Sequence, residues 1–433
     1  MSRVSGDILD VAVIGAGGAG LGVSYFLKRA GLHHLVLERS RVGDTWLSQR
    51  WDSFRLNSPN VRSMLPGDTY EGAEPLGAMT HHEFVAYLNA YVERNGLPVR
   101  LNSGVQRLTQ ENGCFLVAGP DETLRARNVV VATGSQNIPK RPGLAKELPG
   151  WVHQLDASQY RNAAGLDAGA VLVVGSAQSG GQIAEDLALA GRHVFLATSR
   201  TGRLVRRYRG GDQFVWLADS GFLDVPRRMV IRPDGRLPAR GLQGATHTIS
   251  LQSLSADGVV LLGTLSAVSE GGLQFADNLV DHIQFADEAS TAVKRYIDDY
   301  IESAGLSAPP AEDDPAETIA PRLPNPPVLS LDWRESGIKT VVWCTGFQGD
   351  FGWVQIPDAL DKDGQPLHEE GVGACPGLFF AGLDFAFTRK SGTIPAIAPE
   401  AAALVDRIVS ATLAGRAGSA ELVNPPYPFH GPE

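Results

Sequence analysis

A glycine-rich turn followed by an acidic residue is the feature of this sequence that most directly indicates a chemistry. Residues Gly15 to Gly20 read Gly-Ala-Gly-Gly-Ala-Gly, and Glu38 follows at the end of the next apolar segment. In such a pattern the first glycine permits a tight turn, the second lets the backbone approach a pyrophosphate, and the third lets a helix pack closely on a strand. A carboxylate at the position of Glu38 accepts hydrogen bonds from a ribose. These residues predict a dinucleotide site.

The segments around the turn have the order that such a site requires. An apolar run of strand length, Asp10 to Ile14, precedes the turn. A helical stretch follows as far as Arg29 and is stopped by Gly31, a residue typical of a helix C-terminus. The next strand, His34 to Leu37, leads to Glu38. The helix N-terminus would present unpaired N–H groups to phosphates. The sequence therefore predicts a Rossmann-like unit.

The same pattern recurs 160 residues later. An apolar run, Val171 to Val174, leads into Gly175-Ser176-Ala177-Gln178-Ser179-Gly180. A helix to Ala190 and a strand from His193 to Ala197 follow. Ala177 replaces the middle glycine and leaves slightly less room for phosphates. Internal repetition of this kind predicts two units of the same architecture, and hence a second dinucleotide site.

The two units differ in the residue that follows the second strand. At the same offset, Glu38 corresponds to Thr198, which is followed by Ser199 and Arg200. The planar guanidinium of an arginine here matches the oxygens of a 2′-phosphate, so Arg200 indicates NADP rather than NAD. Further arginines follow at Arg203, Arg206, Arg207 and Arg209, and some of these five are expected to belong only to a solvated basic loop.

The remaining apolar tracts complete the first unit. Val129 to Gly134 and Val341 to Gly346 echo each other, since each is a buried run ending in Thr-Gly. A later buried strand, Pro376 to Asp384, ends on a glycine and an acid, and a helix is predicted to begin near Thr393–Ala396 with its N-terminus facing an anion on a bound ring. The fold class expected is α/β, with two Rossmann-like domains, the second inserted into the first.

Other stretches carry weaker signals. Thr80-His81-His82-Glu83 is predicted to be a capping box opening a helix to Arg94, so its histidines are first-turn residues rather than metal ligands. Between 210 and 330 the sequence is less informative. It is predicted to contain strands at His247–Leu251 and Val259–Leu262, a helix from Ala286 to Ala304, and an exposed loop from Ala308 to Pro327. The lone His247 is expected to be structural.

Composition limits the classes of function. A length of 433 residues with 43% hydrophobic and 20% charged residues fits two or three globular domains, and a net charge of −10 argues against a general nucleic-acid binder. Cys114, Cys344 and Cys375 lie far apart, without metal-site spacing, as expected of small buried residues in a reducing cytosol. No signal peptide or membrane span is predicted, which favours a cytoplasmic protein. The proline-rich tail Pro425–Glu433 is expected to be extended.

Taken together, these residues resemble the flavin-containing monooxygenases, the class B flavoprotein monooxygenases. The features that carry the resemblance are GAGGAG with Glu38, GDTW, FRLNSP, VVVATG, GSAQSG with the following Ser-Arg, VVWCTGF and LFFAGLDF. The resemblance implies an FAD-binding domain formed by residues 1–155 and 336–433 and an NADPH-binding domain formed by 156–335. The residues assigned to FAD and NADPH are Gly15, Gly17, Gly18, Ala19, Gly20, Glu38, Arg39, Thr45, Trp46, Ala132, Thr133, Gly134, Gly175, Ser176, Ala177, Gln178, Ser179, Gly180, Ser199, Arg200, Thr345, Gly346, Gly382, Asp384 and Ile394.

The resemblance also implies a reaction. In the family, FAD reduced by NADPH reacts with O2 to give a C4a-(hydro)peroxyflavin, which oxygenates a small soft nucleophile (nitrogen or sulfur) or a ketone. Asn57 matches the asparagine that lies beside the flavin and helps that intermediate persist; the other interpretation is that Asn57 only makes a turn before Ser58-Pro59. The partners expected are a small-molecule substrate and O2, with a homodimer left open.

Two alternatives to a monooxygenase stay open, and one family motif is degenerate, which favours inefficient oxygen transfer. The family fingerprint F-x-G-x-x-x-H-x-x-x-W/F/Y corresponds to Leu148 through Tyr160, where Leu148 replaces the phenylalanine, His153 stands one residue early and Asp156 occupies the histidine position. The first alternative is an NAD(P)H oxidase or flavin reductase without productive oxygen transfer. The second is a non-enzymatic nucleotide-binding redox sensor. A flavin disulfide reductase is disfavoured because a redox cysteine pair is missing.

Overall fold

The computed structural model describes the backbone of residues 3–233, 235, 238 and 241–420. The predicted extended tail, Pro425–Glu433, lies outside the described residues. Within the described part of the chain, no helix is both long and apolar enough to cross a membrane. The same residues contain no cluster of three or more histidine, cysteine or acidic side chains suited to a metal ion.

Strands and helices alternate over most of the chain. In chain order the strands are β1 (Arg3–Ile14), β2 (His34–Leu37), β3 (Val99–Arg100), β4 (Arg107–Glu111), β5 (Cys114–Ala118), β6 (Glu122–Val131), β7 (Ile138–Pro139), β8 (His153–Asp156), β9 (Ala170–Val174), β10 (Val194–Ala197), β11 (Arg207–Tyr208), β12 (Gly211–Asp212), β13 (Val260–Leu262), β14 (Leu265–Val268), β15 (Gly272–Phe275), β16 (Ser330–Asp332), β17 (Ile338–Trp343), β18 (Phe347–Gln348), β19 (His368–Glu369), β20 (Val372–Gly373) and β21 (Leu378–Phe380). The helices are α1 (Gly18–Arg29), α2 (Asp44–Ser48), α3 (His81–Asn95), α4 (Gln178–Leu189), α5 (Gln213–Asp219), α6 (Arg227–Val230), α7 (Leu251–Ala256), α8 (Leu279–Ser303), α9 (Pro315–Thr318), α10 (Trp333–Ser336) and α11 (Ile397–Ala420).

The first large sheet contains the first glycine-rich turn. Its strand order is β19-β20-β21-β6-β1-β2-β3, and β4 and β5 extend it from β6. Strands β21, β6, β1, β2 and β3 run parallel. Val11 and Val13 of β1 are fully buried in a core with residues of α1 and α11, which pack on each other, while Ala12 and Ile14 lie in a second core with residues of β4 and β5. Parallel strands place the turns after β1, β6 and β21 at the same edge of the sheet.

A second, parallel sheet contains the second glycine-rich turn, in the order β13-β10-β9-β17-β8. The two sheets confirm the predicted α/β class with two Rossmann-like units. Strand β8 begins at His153 and strand β17 spans 338–343, so the second unit extends on both sides beyond the predicted range of 156–335.

The chain passes between the two units at a short antiparallel ribbon. Strand β7 pairs with β18 there, and Lys140 N donates to Gly346 O at 2.8 Å. The chain leaves the first unit after β6 and returns to it after β17, so both crossings lie side by side. This is the predicted insertion of one unit into the other.

Local predictions had mixed outcomes. The capping box of Thr80 and Glu83 is present, and α3 begins at His81 as predicted. The predicted strand His247–Leu251 is wrong, because Ser250 caps the helix α7 with its side chain and stops the chain from continuing as a strand. Helix α8 begins at Leu279, earlier than the predicted Ala286.

The proline-rich stretch 308–327 is not a simple exposed loop. It contains the short helix α9, and the side chain of Glu317, which is 10% exposed, lies against α8. That carboxylate forms ion pairs with Arg203 and Lys294, both at 2.7 Å, and accepts a hydrogen bond from Ser290 Oγ at 2.5 Å. A composition typical of loops therefore does not reveal that one glutamate fixes this stretch.

Candidate active site

The first glycine-rich turn has the close approaches that require glycine. Gly15 has φ +107°, and a Cβ built on it would lie 2.6 Å from Ala132 O. A Cβ on Gly20 would lie 2.0 Å from Gly15 O. Gly17 is different, since its φ is −80° and a Cβ there would meet nothing within 4 Å. The backbone at Gly17 therefore faces open space at the N-terminus of α1, where a pyrophosphate would approach.

Glu38 is held beside this turn by backbone amides. Only 8% of the residue is exposed. Its Oε2 accepts a hydrogen bond from Ala16 N, and its Oε1 accepts one from Ser40 N, both at 2.9 Å. Each carboxylate oxygen has a second lone pair, so Glu38 can also accept from ribose hydroxyls.

A cavity of about 580 Å³ runs from the glycine-rich turn across the edge of the first sheet. It is lined by most of the predicted residues of the first unit: Gly15, Gly17, Gly18, Ala19, Glu38, Arg39, Thr45, Trp46, Ala132, Thr133, Gly134, Gly382 and Ile394. Gly20 lies beneath the turn, and Asp384 accepts a hydrogen bond from Ser135 Oγ at 3.2 Å. The Oγ1 of Thr133 is buried without a hydrogen-bond partner among the described residues, as expected of a group that faces a polar ligand.

Sequence reasoning missed several residues that line this cavity, including Gln49, Arg50, Phe84, Asn102 and Gln136. The only signal for Gln49 and Arg50 is their position directly after the Gly-Asp-Thr-Trp tract. Phe84 lies on α3 and is buried, and the centre of its ring is 5.2 Å from that of Trp46.

Arg50 brings positive charge to the cavity. Its guanidinium lies 5.2 Å from the ring centre of Trp46 and 5.3 Å from that of Phe54, and it donates to the neutral Gln136 Oε1 at 3.3 Å. Burial, with a smaller contribution from the nearby Arg161, lowers the pKa of Arg50 to about 10. The side chain stays charged at neutral pH, so the cavity favours an anionic or electron-rich ligand.

The second glycine-rich turn repeats the backbone of the first. Gly175 has φ +101°, and a Cβ on it would lie 2.6 Å from Cys344 O. A Cβ on Gly180 would lie 1.8 Å from Gly175 O. Ala177 has φ −77°, a value that any residue adopts, so the methyl group that replaces the middle glycine causes no backbone strain.

The residues after β10 form a polar corner beside this turn. Thr198 is buried and donates to Leu262 O at 2.7 Å, and Ser199 N donates to Ser176 Oγ at 3.0 Å. Arg200 is exposed, and its guanidinium lies 4.1 Å from the ring centre of Phe285. No carboxylate of the described residues lies within ion-pair distance of Arg200. A cation held on an aromatic ring without an acidic partner suits a phosphate.

The four following arginines are engaged instead in ion pairs. Arg203 pairs with Asp287 at 2.6 Å, and Arg209 pairs with Asp298 at 2.9 Å. Arg206 and Arg207 share Asp212, which is fully buried. Arg203 and Arg206 are buried and so do not belong to a solvated loop, whereas the Arg207 side chain is 44% exposed. Arg200 is the arginine of the five that remains available to a nucleotide.

Asn57 lies at the junction of the two units, and it is not among the residues that line the large cavity. Its side-chain Oδ1 accepts a hydrogen bond from Gln182 Nε2 at 2.9 Å. Its backbone oxygen accepts from Arg206 Nη1 at 2.7 Å and from Gln243 Nε2 at 3.3 Å. Three residues of the second unit thus hold one residue of the first.

The degenerate fingerprint segment is held by polar contacts of its side chains. Tyr160 is fully buried, and its hydroxyl donates to Asp186 Oδ2 at 2.5 Å. Asp156, at the family histidine position, accepts two hydrogen bonds from Arg141, at 2.7 and 2.9 Å. His153 is 3.8 Å from the exposed Asp167. An ion pair with Arg141 therefore occupies the place where the fingerprint has a histidine.

The thiols are poorly suited to disulfide chemistry. All three cysteines are free, and Cys344 lies directly under the second glycine-rich turn. Burial raises the pKa of the Cys344 thiol well above its usual range and also raises that of Cys375. Because the thiolate is the nucleophile, burial keeps these thiols unreactive.

A fold with two glycine-rich cradles, one with a ribose-accepting carboxylate and one with an arginine, defines a flavoprotein oxidoreductase with two dinucleotide sites. The sequence agrees, since residues 12–209 match the family model described as pyridine nucleotide-disulphide oxidoreductase. The chain is 31% identical over 409 residues to an uncharacterized CzcO-like oxidoreductase of Geobacillus kaustophilus, covering 93% of this chain and 99% of that protein.

Further relatives narrow the class. Over 398 residues the chain is 26% identical to the probable indole-3-pyruvate monooxygenase YUCCA1 of Arabidopsis thaliana, covering 87% and 84% of the two chains. The flavin-containing monooxygenase of Stenotrophomonas maltophilia has the same fold, with a TM-score of 0.64, 21% identity and coverage of 93% and 99%. The chain belongs to the flavin-containing monooxygenase family, which is a family of FAD- and NADP-binding oxidoreductases.

Proposed function

We propose that the chain is an NADPH-consuming, FAD-dependent monooxygenase that oxygenates a small nitrogen or sulfur nucleophile or a ketone. The observation that supports this proposal is that one chain has two glycine-rich turns, the first beside an acidic residue and the second beside a basic one. Glu38 equips the first cradle for an unphosphorylated ribose, and Arg200 equips the second for a phosphorylated one. Such a pair suits the transfer of a hydride from NADPH to FAD.

FAD fits the large cavity of the first unit. Gly17 and the N-terminus of α1 would take its pyrophosphate, and Glu38 its adenosine ribose. Trp46, Phe84 and Ile394 supply apolar and aromatic surface for the ring system. When bound and reduced, FAD supplies the activation of O2, and the protein supplies placement and electrostatics.

NADPH fits the second turn. The N-terminus of α4 would take its pyrophosphate, and Ser199 and Arg200 would take the 2′-phosphate. His282 lies below this corner, 2.9 Å from Thr198 Oγ1. Burial lowers the pKa of His282, so the imidazole is neutral there and leaves the charge recognition to Arg200.

Asn57 is proposed to act in oxygen transfer as a hydrogen-bond donor. Its amide nitrogen donates to no described residue, while its oxygen is occupied by Gln182. A preorganised donor of this kind contributes about 3–4 kcal/mol at the transition states of other enzymes. The position of Asn57 outside the cavity lining and the altered fingerprint favour a second candidate, an NAD(P)H oxidase that releases hydrogen peroxide.

One experiment separates these two functions. NADPH consumption, hydrogen peroxide and oxygenated product would be measured together with thioanisole, a tertiary amine and cyclohexanone as probes. A monooxygenase converts at least one probe with product formed in proportion to NADPH. In Asn57→Ala, NADPH consumption should continue while product falls and peroxide rises by about a hundredfold relative to product. Peroxide equal to NADPH with every probe, in the wild type, would identify the oxidase instead.

A further inference from the structure

Helix α4 connects the second glycine-rich turn to the loop that carries Asn57. The helix begins at Gln178, directly after the turn, and its Gln182 and Asp186 lie one turn apart on the same face. Gln182 Nε2 donates to Asn57 Oδ1 at 2.9 Å, and Ser53 Oγ donates to Asp186 Oδ1 at 2.5 Å. The helix whose N-terminus suits a nucleotide therefore also holds the first unit's loop.

The orientation of the Gln182 amide is determined by a backbone carbonyl. Gln182 Nε2 lies 2.6 Å from Gln243 O, which can only accept a hydrogen bond. The NH2 group of Gln182 must therefore face this oxygen. Its second hydrogen-bond partner is Asn57, which must present an acceptor, so the Asn57 oxygen points toward Gln182.

This arrangement leaves the NH2 group of Asn57 available as a donor. Arg206 and Gln243 hold the backbone oxygen of Asn57, which prevents the residue from rotating as a whole. Arg206 is 1% exposed and Gln243 is 6% exposed. Water therefore cannot readily replace these hydrogen bonds, and in such surroundings their directions are strongly enforced.

We propose that Gln182 is a positioning residue that fixes the amide of Asn57 with its NH2 group as the free donor. The inference rests on the proposed function, in which Asn57 donates a hydrogen bond during oxygen transfer. It assigns to Gln182 an indirect role: Gln182 touches neither substrate nor cofactor and acts through Asn57. Gln182 lies on α4, the helix that begins directly after the second glycine-rich turn, so the residue that would orient Asn57 belongs to the proposed NADPH-binding unit.

Two substitutions test the role of Gln182 in opposite ways. Gln182→Met keeps the length of the side chain and removes its hydrogen bonds. Gln182→Glu replaces the donor by an acceptor, so the Asn57 amide must turn its NH2 group toward position 182. Gln284→Met is the matched control, because Gln284 is exposed on α8 and, among the described residues, its side chain bonds only to Glu288 one turn away.

Both variants should raise the ratio of peroxide to product about tenfold, the effect of one buried hydrogen bond. The FAD content and the Kd for NADPH should change less than about twofold, and the control should behave as the wild type. The double variant Asn57→Ala/Gln182→Met should have the same ratio of peroxide to product as Asn57→Ala alone, because Gln182 acts only through Asn57. Additive effects, or unchanged ratios in both variants, would overturn the inference.

A measurement of orientation keeps the inference testable apart from the oxygenation chemistry. The side-chain NH2 signal of Asn57 can be found in protein labelled with 15N-asparagine by its absence from Asn57→Ala. In Gln182→Glu one of its protons should shift downfield, because it now bonds to a carboxylate. An unchanged Asn57 signal would overturn the inference even if the proposed function held. A shifted signal with unaffected product in Asn57→Ala would instead leave Gln182 as the orienting residue and contradict the proposed function.

Discussion

The two glycine-rich units have nearly the same backbone and different chemistry. Gly20 and Gly180 are equally crowded, with hypothetical Cβ atoms 2.0 and 1.8 Å from the oxygens of Gly15 and Gly175. The units differ at the end of their second strands. Glu38 accepts two backbone amides in the first, while Thr198 is buried and an exposed Arg200 follows it in the second. In the proposed function, backbone geometry sets where a dinucleotide binds, and Glu38 and Arg200 set which dinucleotide each unit prefers.

The two units also contain buried carboxylates with different partners. In the second unit, buried carboxylates are matched by cations, as for Asp212 with Arg206 and Glu317 with Arg203. In the first unit, Glu400 is 8% exposed and receives a hydrogen bond from Ser391 Oγ at 2.5 Å, while Lys390 pairs with Asp224. Burial raises the pKa of Glu400 although Ser391 and Lys390 act in the opposite direction, so this carboxylate should make the stability of the first unit sensitive to pH.

The largest effect is expected from Gly17→Val. The φ of −80° suits valine, and the added side chain projects into open space at the N-terminus of α1, so the fold should survive. The same space is needed by the FAD pyrophosphate, and the affinity for FAD should fall at least about a hundredfold. The variant should be purified folded and colourless, which circular dichroism and the flavin absorbance would show.

Gly20→Val is the matched comparison for that prediction. Its Cβ would overlap Gly15 O, so this variant should lose the fold together with the flavin. If Gly17→Val retained a full complement of flavin, the first turn would not be the FAD site, and the assignment of the two units would have to be exchanged or abandoned.

The next effect in size concerns Arg200. If Arg200 binds the 2′-phosphate as proposed, Arg200→Ala would remove a charge-assisted contact worth roughly 1.5–3 kcal/mol, and the Kd for NADPH should rise about ten- to a hundredfold. The Kd for NADH should barely change. Both constants can be measured by the quenching of protein fluorescence under anaerobic conditions.

Arg209→Ala is the control for this prediction. Arg209 follows the next strand, β11, and Asp298 already neutralises it at 2.9 Å. Arg209→Ala should raise the Kd values for NADPH and NADH only weakly and to the same extent. Equal weakening of both nucleotides by Arg200→Ala would show that Arg200 is structural, and the difference between the two units would then not explain specificity.

The sequence predicted the parts of the site that depend on the backbone. Glycines at fixed spacing reveal steric requirements that no other residue meets, so both turns, both α/β units and the insertion could be predicted. Glu38 could be predicted from its place at the end of the second strand, and Trp46 from the resemblance of the Gly-Asp-Thr-Trp tract to the family; both line the cavity.

What could not be predicted depends on contacts between distant segments. Nothing near Glu317 in the sequence indicates that it meets Arg203, and nothing near Asn57 indicates that Gln182 and Gln243 hold it. The strand predicted at His247–Leu251 failed because its alternating apolar residues are equally compatible with Ser250 capping a helix. Such pairings arise from the tertiary fold, and a single sequence carries no local signal for them.

A smaller effect is expected from the pH dependence of stability. Burial raises the pKa of Glu400 to about 7, although its hydrogen bond with Ser391 acts in the opposite direction. In the unfolded chain the pKa is about 4.3, so the folded state binds the proton more tightly. This contribution to stability is fully present below about pH 4.3 and is lost as the pH rises through about 7.

Glu400→Gln cannot ionise and should remove that contribution to the pH dependence. Between pH 5 and 8 the Tm of the wild type should fall relative to that of the variant, by a few degrees for about 1–2 kcal/mol. Glu317 of the second unit is the contrast to Glu400. Burial alone would raise the pKa of Glu317, but its contacts with Lys294, Ser290 and Arg203 lower it. A Tm difference between wild type and Glu400→Gln that did not vary with pH would contradict this account of the first unit.

The smallest effect is expected from the one glycine position at which the two turns differ. Ala177 has φ −77° and Gly17 has φ −80°, so the methyl group of Ala177 is accommodated by the same backbone. Since a Cβ at Gly17 meets nothing within 4 Å, we expect the Ala177 methyl to reduce only the space for phosphates. Ala177→Gly should lower the Kd of NADPH and NADH by at most about threefold, and equally, because both nucleotides share the pyrophosphate. Glycine is tolerated at a helix N-cap, so the Tm should change little. If the Kd fell for NADPH alone, the residue at position 177 would affect binding of the 2′-phosphate. The charge of Arg200 would then not be sufficient to explain the difference between the two units.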